Sequence, residues 1–162
     1  MLFKSVDIDL ITTESRPDAI LLLRDKVKPM GSYRRGLPKE HIEFEGDIKH
    51  DKFEIQRIIP GRNSFLPKIK GVITDHNQGS KISLTIKLDD GVKAFLIGWL
   101  ILVVAFLLAF LRHFDIKSLE ALVILVPIFM LFAGTVVPTM IFKNECKMAI
   151  KEIKRILKAK DL

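Results

Sequence analysis

The stretch AFLIGWLILVVAFLLAFL, residues 94–111, decides the fold, because its eighteen residues carry no charge. A second uncharged run, residues 121–142, follows after a short polar turn. At 1.5 Å per residue the two runs form helices about 27 and 33 Å long, which match a hydrocarbon core of about 30 Å. Uncharged apolar runs of this length are typical of membrane-spanning helices. The two runs therefore predict a transmembrane helical hairpin.

The composition of both runs favours insertion into a bilayer. Each run carries thirteen Leu, Ile, Val or Phe residues, which together contribute on the order of −4 to −8 kcal/mol per span. A soluble apolar hairpin would show charged residues on one face of each helix, and neither run has any. Pro127 and Pro138 lie in the second run. We interpret them as structural kinks in preference to gates, because proline is common in membrane helices.

Lysine residues at the outer ends of the hairpin predict its orientation. The net charge is +7, and residues 143–162 alone carry seven Lys or Arg against three Asp or Glu. Short cytoplasmic flanks carry the excess of Lys and Arg, so we expect a membrane protein with both termini cytoplasmic. The N-terminal MLFKSVD has no secretory segment, so the first run is expected to be an uncleaved signal. The flanking lysines are Lys87, Lys93, Lys143, Lys147 and Lys151.

The residues before the hairpin alternate between apolar and polar, which predicts half-buried strands. Residues 3–12 form the first such segment, and residues 80–88 form the clearest one, with Ile82, Leu84, Ile86 and Leu88 on one face. Ser15 can cap a helix that extends to about residue 27, with Pro17 in its first turn. Three further strands are predicted around residues 42–48, 52–59 and 68–75, with turns at His50-Asp51 and at residues 77–79.

The predicted elements define an α+β protein whose soluble domain is interrupted by the hairpin. Residues 1–91 form its β-rich part, residues 92–142 the hairpin, and residues 143–162 an amphipathic helix that completes it. We expect an antiparallel sheet of about five strands, covered by the helix at 15–27 and by the C-terminal helix, because an open sheet needs a cover. The alternative is that the C-terminal helix lies on the anionic inner leaflet.

The connection from the last strand to the first span indicates which loops face the membrane. Strand 80–88 leads into residue 94 within a few residues, so it runs towards the membrane, and the loop at residues 60–67 lies at the same end. This segment joins basic side chains to apolar ones. We expect it to contact lipid or a partner protein, or alternatively to tuck Phe65 under the sheet while Asn63 makes a turn. The candidate residues are Arg62, Asn63, Phe65, Leu66, Lys68 and Lys70.

The order of several short segments resembles a family of small bacterial membrane proteins with two spans. They share an RNSFLP-like segment and a C-terminal helix, and the similarity covers roughly residues 42–160. The resemblance implies a fold and a location in the bacterial inner (plasma) membrane, without an activity. Those proteins have an aromatic residue before the arginine, where this chain has Gly61. The matching segments are FEGDI at 44–48, FEIQRII at 53–59, RNSFLP at 62–67, Gly71 and GSKI at 79–82.

Catalytic and metal-binding patterns are missing from the sequence. There is no GxGxxG or GxxxxGK[ST] motif, and Cys146 is the only cysteine, so we expect no cysteine cluster, metal or cofactor. Asp89 and Asp90 either bind a cation or simply end a strand. The basic loop at 28–40, with Tyr33, contacts lipid phosphate or nucleic acid or is simply solvated, and we favour the last. The histidines, which have no ligand spacing, are His41, His50, His76 and His113.

The leading functional hypothesis is a membrane-anchored sensing or interaction module without catalytic activity. Its partners are then the bilayer and either a second copy or another membrane protein, with no nucleic acid. The alternative is an oligomeric channel or membrane-disrupting effector gated by a ligand of the β-domain. That alternative depends on the charge-free spans and on small residues that permit close helix packing, namely Gly98, Ala105, Ala109 and Gly134.

Overall fold

The computed structural model describes residues 4–30, 42–77, 79–112 and 124–162. The expectations for the loop around Tyr33, for His41 and for the turn containing His113 lie outside these residues. Within them the chain is α+β, as the sequence predicts. The elements are β1 (Val6–Thr12), α1 (Arg16–Lys26), β2 (Val27–Lys28), β3 (Phe44–Lys49), β4 (Lys52–Arg57), β5 (Lys68–His76), β6 (Gly79–Lys87), α2 (Asp90–Arg112), α3 (Leu125–Ile156) and β7 (Lys160–Asp161).

The seven strands form one open sheet in the order β2-β3-β4-β5-β6-β1-β7. All neighbouring pairs are antiparallel except β2 and β3, which are parallel. The prediction of about five antiparallel strands is right for the five long strands and wrong for the edges. Strands β2 and β7 have two residues each, which is too short for an alternating pattern to show in the sequence.

The inner face of the sheet carries the hydrophobic core. The alternating residues of β6 are buried, as predicted, and they lie in one cluster with Leu10 of β1, Phe53 and Ile55 of β4, and Ile69 of β5. Helix α1 adds Ala19 and Leu23, which are fully buried. At its start the Ser15 hydroxyl accepts a hydrogen bond from the Asp18 amide at 3.4 Å. The predicted cap is therefore present.

The outer face of the sheet is polar, and its side chains bond across strands. The Ser83 hydroxyl donates to Asp9 at 2.7 Å, the Thr85 hydroxyl donates to Asp7 at 2.8 Å, and Lys81 pairs with Asp9 at 2.9 Å. The hydrogen bond from Ser83, followed by the one from Lys81, lowers the pKa of Asp9. This face is typical of an antiparallel sheet with one side in solvent.

Two glycines are required by close packing across strands. Gly71 lies opposite Phe53 in the β4–β5 ladder, and a Cβ at this position would overlap the Phe53 ring. At Gly46, with a φ of 152°, a Cβ would overlap the carbonyl oxygen of Glu54. A glycine within a strand indicates either a bulge or a close backbone approach. At Gly46 the structure has the close approach, because the β3–β4 register is unbroken there.

Helix α3 is a single helix of 32 residues, although the sequence suggested a span followed by a separate C-terminal helix. Its last turns bury Cys146, Ala149 and Ile153 in the same cluster as the sheet residues. The sequence left open whether the apolar face of the C-terminal helix packs against the sheet or lies on the inner leaflet. In the structure this face packs against the sheet. The helix ends where the Thr12 hydroxyl donates to the Leu157 carbonyl oxygen at 2.7 Å.

Helices α2 and α3 are both long and apolar enough, by length and composition, to cross a membrane. Only 11% of the most apolar window of α2 and 17% of that of α3 is buried, so neither resembles the core helix of a soluble protein. The two helices pack against each other at Gly134 of α3, where the missing side chain leaves room for the Trp99 ring of α2. Pro138 lies inside α3, where it removes the hydrogen bond that would otherwise reach the Gly134 carbonyl.

Candidate functional site at the junction of sheet and apolar helices

The loop between β4 and β5 lies beside the first turns of α2 and the end of the apolar part of α3, where chain connectivity predicted it. We call residues 58–67 the junction loop. Residues 62–65 of this loop, the first turns of α2 and Ile141 of α3 surround an open pocket of about 870 Å³, which we call the junction pocket. Strand β6 ends at Lys87 and α2 begins at Asp90. The pocket is therefore at the boundary between the soluble domain and the helices that could span a membrane.

Asn63 gives the junction loop its shape. Its side-chain oxygen accepts a hydrogen bond from the Phe65 amide at 2.9 Å, and its carbonyl oxygen accepts one from the Leu66 amide at 3.2 Å. Its side-chain nitrogen donates to Glu145 Oε1 at 3.2 Å. Asn63 thus makes the turn, as one alternative predicted, and also attaches the loop to α3.

An ion pair holds the same part of α3 against the sheet. Arg57 Nη1 donates to Glu145 Oε2 at 2.7 Å, and the two side chains are only 19% and 12% exposed. Arg57 occupies the inner-face position that follows Phe53 and Ile55 along β4. The alternation that puts Phe53 and Ile55 on that face also puts Arg57 there, whereas no sequence pattern assigned a role to Glu145. A charged residue at an inward position was the one available signal that a buried partner existed.

Two of the candidate lysines are already paired. Lys68 lies 2.5 Å from Asp89, and Lys70 lies 2.9 Å from Glu54. The hydrogen bond with Asp89 raises the pKa of Lys68, and the reciprocal bond, with a further one from the Gly91 amide, lowers the pKa of Asp89. Both lysines are therefore less available to an external anion than the sequence suggested.

Asp89 has a structural role at the start of α2. Its Oδ1 accepts hydrogen bonds from the amides of Gly91 at 2.9 Å and Val92 at 3.4 Å, so it caps the first turn of α2. Asp90 pairs with Lys93 at 3.2 Å. Within the described ranges, no group of three His, Cys, Asp or Glu side chains is placed to hold a metal ion.

The remaining candidates divide into one free cation and two packed apolar residues. Arg62 is exposed and makes no ion pair with any residue that the structure describes. Leu66 is 8% exposed, and Phe65 is partly buried against the core, so both mainly hold the loop to the domain. Of the six predicted site residues, Arg62 is the one whose charged group is left for a ligand.

A row of lysines follows the end of the apolar part of α3. Lys143, Lys147 and Lys151 are exposed, and no ion pair joins them to another residue in the described part of the chain. Their spacing of four places them along one side of the helix. They lie on the exposed face of α3, away from the buried face that carries Glu145, so they add positive charge at this end of the helix without lining the junction pocket.

A smaller pocket of about 310 Å³ lies on the other side of the junction loop. Gln56, Arg57, Arg62 and Ser64 are among its lining residues, together with the backbone end of β4. Residues 62–64 contribute to both pockets. The two pockets are therefore neighbours that share this part of the junction loop.

Comparisons with known proteins add no relative to this description. No protein-family model matches the chain, and neither a curated protein nor a solved structure matches it.

Proposed function

We propose that this chain is a two-span protein of the bacterial inner membrane whose α+β domain acts as a non-enzymatic interaction module and recognises anionic lipid headgroups. The observation that carries the proposal is the junction pocket, which presents Arg62 beside the first turns of α2 and the end of the apolar part of α3. Arg62 has no ion-pair partner among the described residues. An arginine without a protein partner at that depth is suited to a phosphate group.

The exposed surface of α2 and α3 supports membrane insertion. Side chains such as Phe95, Ile101, Phe129 and Phe132 are more than half exposed, and they belong to a continuous apolar surface around both helices. Soluble monomers rarely expose apolar patches larger than a few hundred Å². Lipid chains would cover this surface without any further protein.

The distribution of unpaired charge supports contact with an anionic leaflet. Arg62, Lys143 and Lys147 lie on the side of the apolar runs that carries both chain ends in the expected topology. A basic residue close to an anionic membrane surface contributes about 1 kcal/mol of attraction. The same residues satisfy the positive-inside tendency, so orientation and headgroup binding have one physical cause.

The alternative is an oligomeric channel or membrane-disrupting effector. In its favour, no charged residue lies in either apolar run, and Gly98, Ala105 and Ala109 are exposed on α2, where a second copy could approach closely. Against it, Gly134 already packs against Trp99 within the same hairpin. Two helices per chain form a pore only in a ring of several subunits.

Native mass spectrometry of the full-length protein, released from nanodiscs that mix phosphatidylcholine and phosphatidylglycerol, tests the proposal. We expect a small oligomer or a monomer that retains phosphatidylglycerol well above its share in the bilayer. Retention in proportion to the bilayer composition would contradict headgroup recognition. A closed ring of several subunits would instead favour the channel. Nanodiscs of phosphatidylcholine alone provide the control for protein that is folded but has no anionic ligand.

A further inference from the structure

The junction pocket has a polar side and an apolar side. Residues 62–64 form the polar side, whereas Phe95 and Ile141 form the apolar one. We propose, resting on the function proposed above, that the junction pocket is a specific site for a single anionic phospholipid. Its phosphodiester lies at Arg62, and one acyl chain follows the groove between Phe95 and Ile141.

The charges around the junction pocket favour an anion. Asp89 is the only carboxylate in the described lining, and its charge is compensated by Lys68 at 2.5 Å and by the amide of Gly91 at 2.9 Å. Arg62 has no such compensation among the described residues. One positive charge is therefore left over, and the exposed Ser64 hydroxyl beside it can donate to a second phosphate oxygen.

The apolar side fits a hydrocarbon chain better than a soluble ligand. Phe95 is 69% exposed, and Ile141 lies on the facing helix at the end of the second uncharged run. Both side chains lie at the entrance to the part of the hairpin that is apolar all round. A volume of about 870 Å³ is within the usual range for ligand pockets, about 300–1,000 Å³. A soluble phosphate ester without an acyl chain would leave Phe95 and Ile141 in contact with water.

The pocket is held in place by contacts on each of its walls. Asn63 and Arg57 both bind Glu145, which fixes the junction loop relative to α3. Lys68 binds Asp89, which fixes the start of β5 relative to the first turn of α2. A site whose walls are already fixed loses little conformational entropy when a ligand enters. This argues for one retained lipid as opposed to a diffuse layer around the basic surface.

The test compares two variants that lose the same charge. Arg62→Ala removes the phosphate ligand from the junction pocket, whereas Lys147→Ala removes an exposed, unpaired cation outside its lining. Full-length protein in mixed nanodiscs is incubated with phosphatidylglycerol that carries a photoreactive acyl chain, and the adducts are located by peptide mass spectrometry. We expect Arg62→Ala to lower the amount of lipid retained in the junction pocket about tenfold, because an arginine–phosphate contact is worth that much or more. Lys147→Ala removes no contact within the pocket lining, so the amount of adduct in the pocket should stay close to that of the native sequence.

A second pair of variants tests the acyl-chain groove. Ile141→Trp should fill the groove and abolish the adduct, whereas Met140→Trp, at a 60% exposed position outside the pocket lining, should leave it unchanged. Adducts in the protein with its native sequence should map to the first turns of α2 and to the segment around Ile141. Adducts spread evenly over both helices would overturn the proposal.

Competition with soluble compounds identifies the source of the phosphate. Short-chain phosphatidylglycerol should displace the labelled lipid, and sn-glycerol phosphate at the same concentration should not. Equal displacement by both would mean that the ligand is a soluble phosphate ester, which overturns the phospholipid site. If the native chain retains no excess phosphatidylglycerol, headgroup recognition itself fails. If it does, and Arg62→Ala and Ile141→Trp retain as much, only the junction pocket fails.

Discussion

At the scale of single residues, Glu145 has the least usual environment. It is the one buried charged residue in the described part of the chain, at 9% exposure, and it accepts hydrogen bonds from both Arg57 and Asn63. A partly buried carboxylate is tolerated when its oxygens are satisfied in this way. Each of its oxygens belongs to a different partner, one on β4 and one on the junction loop, so Glu145 joins three separate parts of the chain.

Removing either member of the Arg57–Glu145 pair should destabilise the domain. We expect Arg57→Ala and Glu145→Ala each to lower the free energy of unfolding by about 2–3 kcal/mol, because the remaining charge loses its partner. The double variant should cost less than the sum of the two, with a coupling energy of about 1–2 kcal/mol. Chemical unfolding in detergent micelles measures all of these values.

The control for this cycle is the Lys70–Glu54 pair. Its side chains are 49% and 44% exposed, so solvent screens the interaction and the coupling should stay below about 1 kcal/mol. Equal coupling energies in the two cycles would contradict the view that burial of Glu145 gives its pair a larger effect.

Cys146 should be unreactive in the folded protein. Burial, followed by the nearby charge of Glu145, raises the pKa of its thiol from an ordinary 9.0 to about 11. The thiolate fraction at neutral pH is then about a hundredfold lower. We expect very slow labelling by a maleimide until the protein is unfolded. Met148→Cys in a Cys146→Ala background is the matched control, because position 148 is 43% exposed and should label quickly. Comparable labelling rates at the two positions would contradict the burial.

At the scale of elements, the start of α2 depends on one carboxylate. Asp89 caps the helix and pairs with Lys68, and these contacts hold its pKa below the ordinary 3.8. For a group whose pKa is lowered by folding, the stabilisation is fully present above the pKa of the unfolded chain. It is lost as the pH falls through the pKa of the folded one.

Asp89→Asn should therefore remove part of the acid sensitivity of the protein. As the pH falls from about 4 towards 2, the melting temperature of the native sequence should decrease more steeply than that of the variant. Asp90→Asn is the control, because Asp90 is 85% exposed and pairs only with Lys93 one turn along. It should retain the steep decrease. Parallel curves for the native chain and Asp89→Asn would show that the cap has no such effect.

The elements that the sequence predicted well are those whose residues repeat with a clear period. Strand β6 and the cap of α1 were both predicted, because alternation and the Ser15 cap depend only on neighbouring residues. The single helix α3 was predicted as two pieces. The sequence changes from uncharged to charged at Lys143, which indicates a change in what surrounds the helix. The helix itself continues through this point without a break.

The candidate site was predicted in its place but only partly in its chemistry. Short connections between β6 and α2 fixed where the junction loop lies. Lys68 pairs with Asp89, just before α2, and Lys70 pairs with Glu54 on the neighbouring strand β4. Such pairs depend on which residues the folded chain places side by side. Glu145 was missed for the same reason, since its two donors lie more than eighty residues earlier in the chain.

At the scale of the whole molecule, the expected topology can be tested directly. In a Cys146→Ala background, Lys117→Cys should react with a membrane-impermeant maleimide on intact spheroplasts. Lys4→Cys should react only after permeabilisation, since both chain ends are expected inside. Labelling of Lys4→Cys on intact spheroplasts, with Lys117→Cys protected, would reverse the orientation and with it the side on which Arg62 meets the bilayer.

The unbroken length of α3 makes it a lever arm. Its 32 residues span roughly 48 Å, with Pro138 near the point where it would leave the hydrocarbon and Ile153 fixed in the core. A tilt of about 10° at Pro138 displaces the far end of the helix by roughly 5 Å. Such a displacement would either break the Arg57–Glu145 ion pair and the packing against the sheet, or be prevented by them. If the two helices span a bilayer, its thickness and tension would therefore act on the sheet domain through α3.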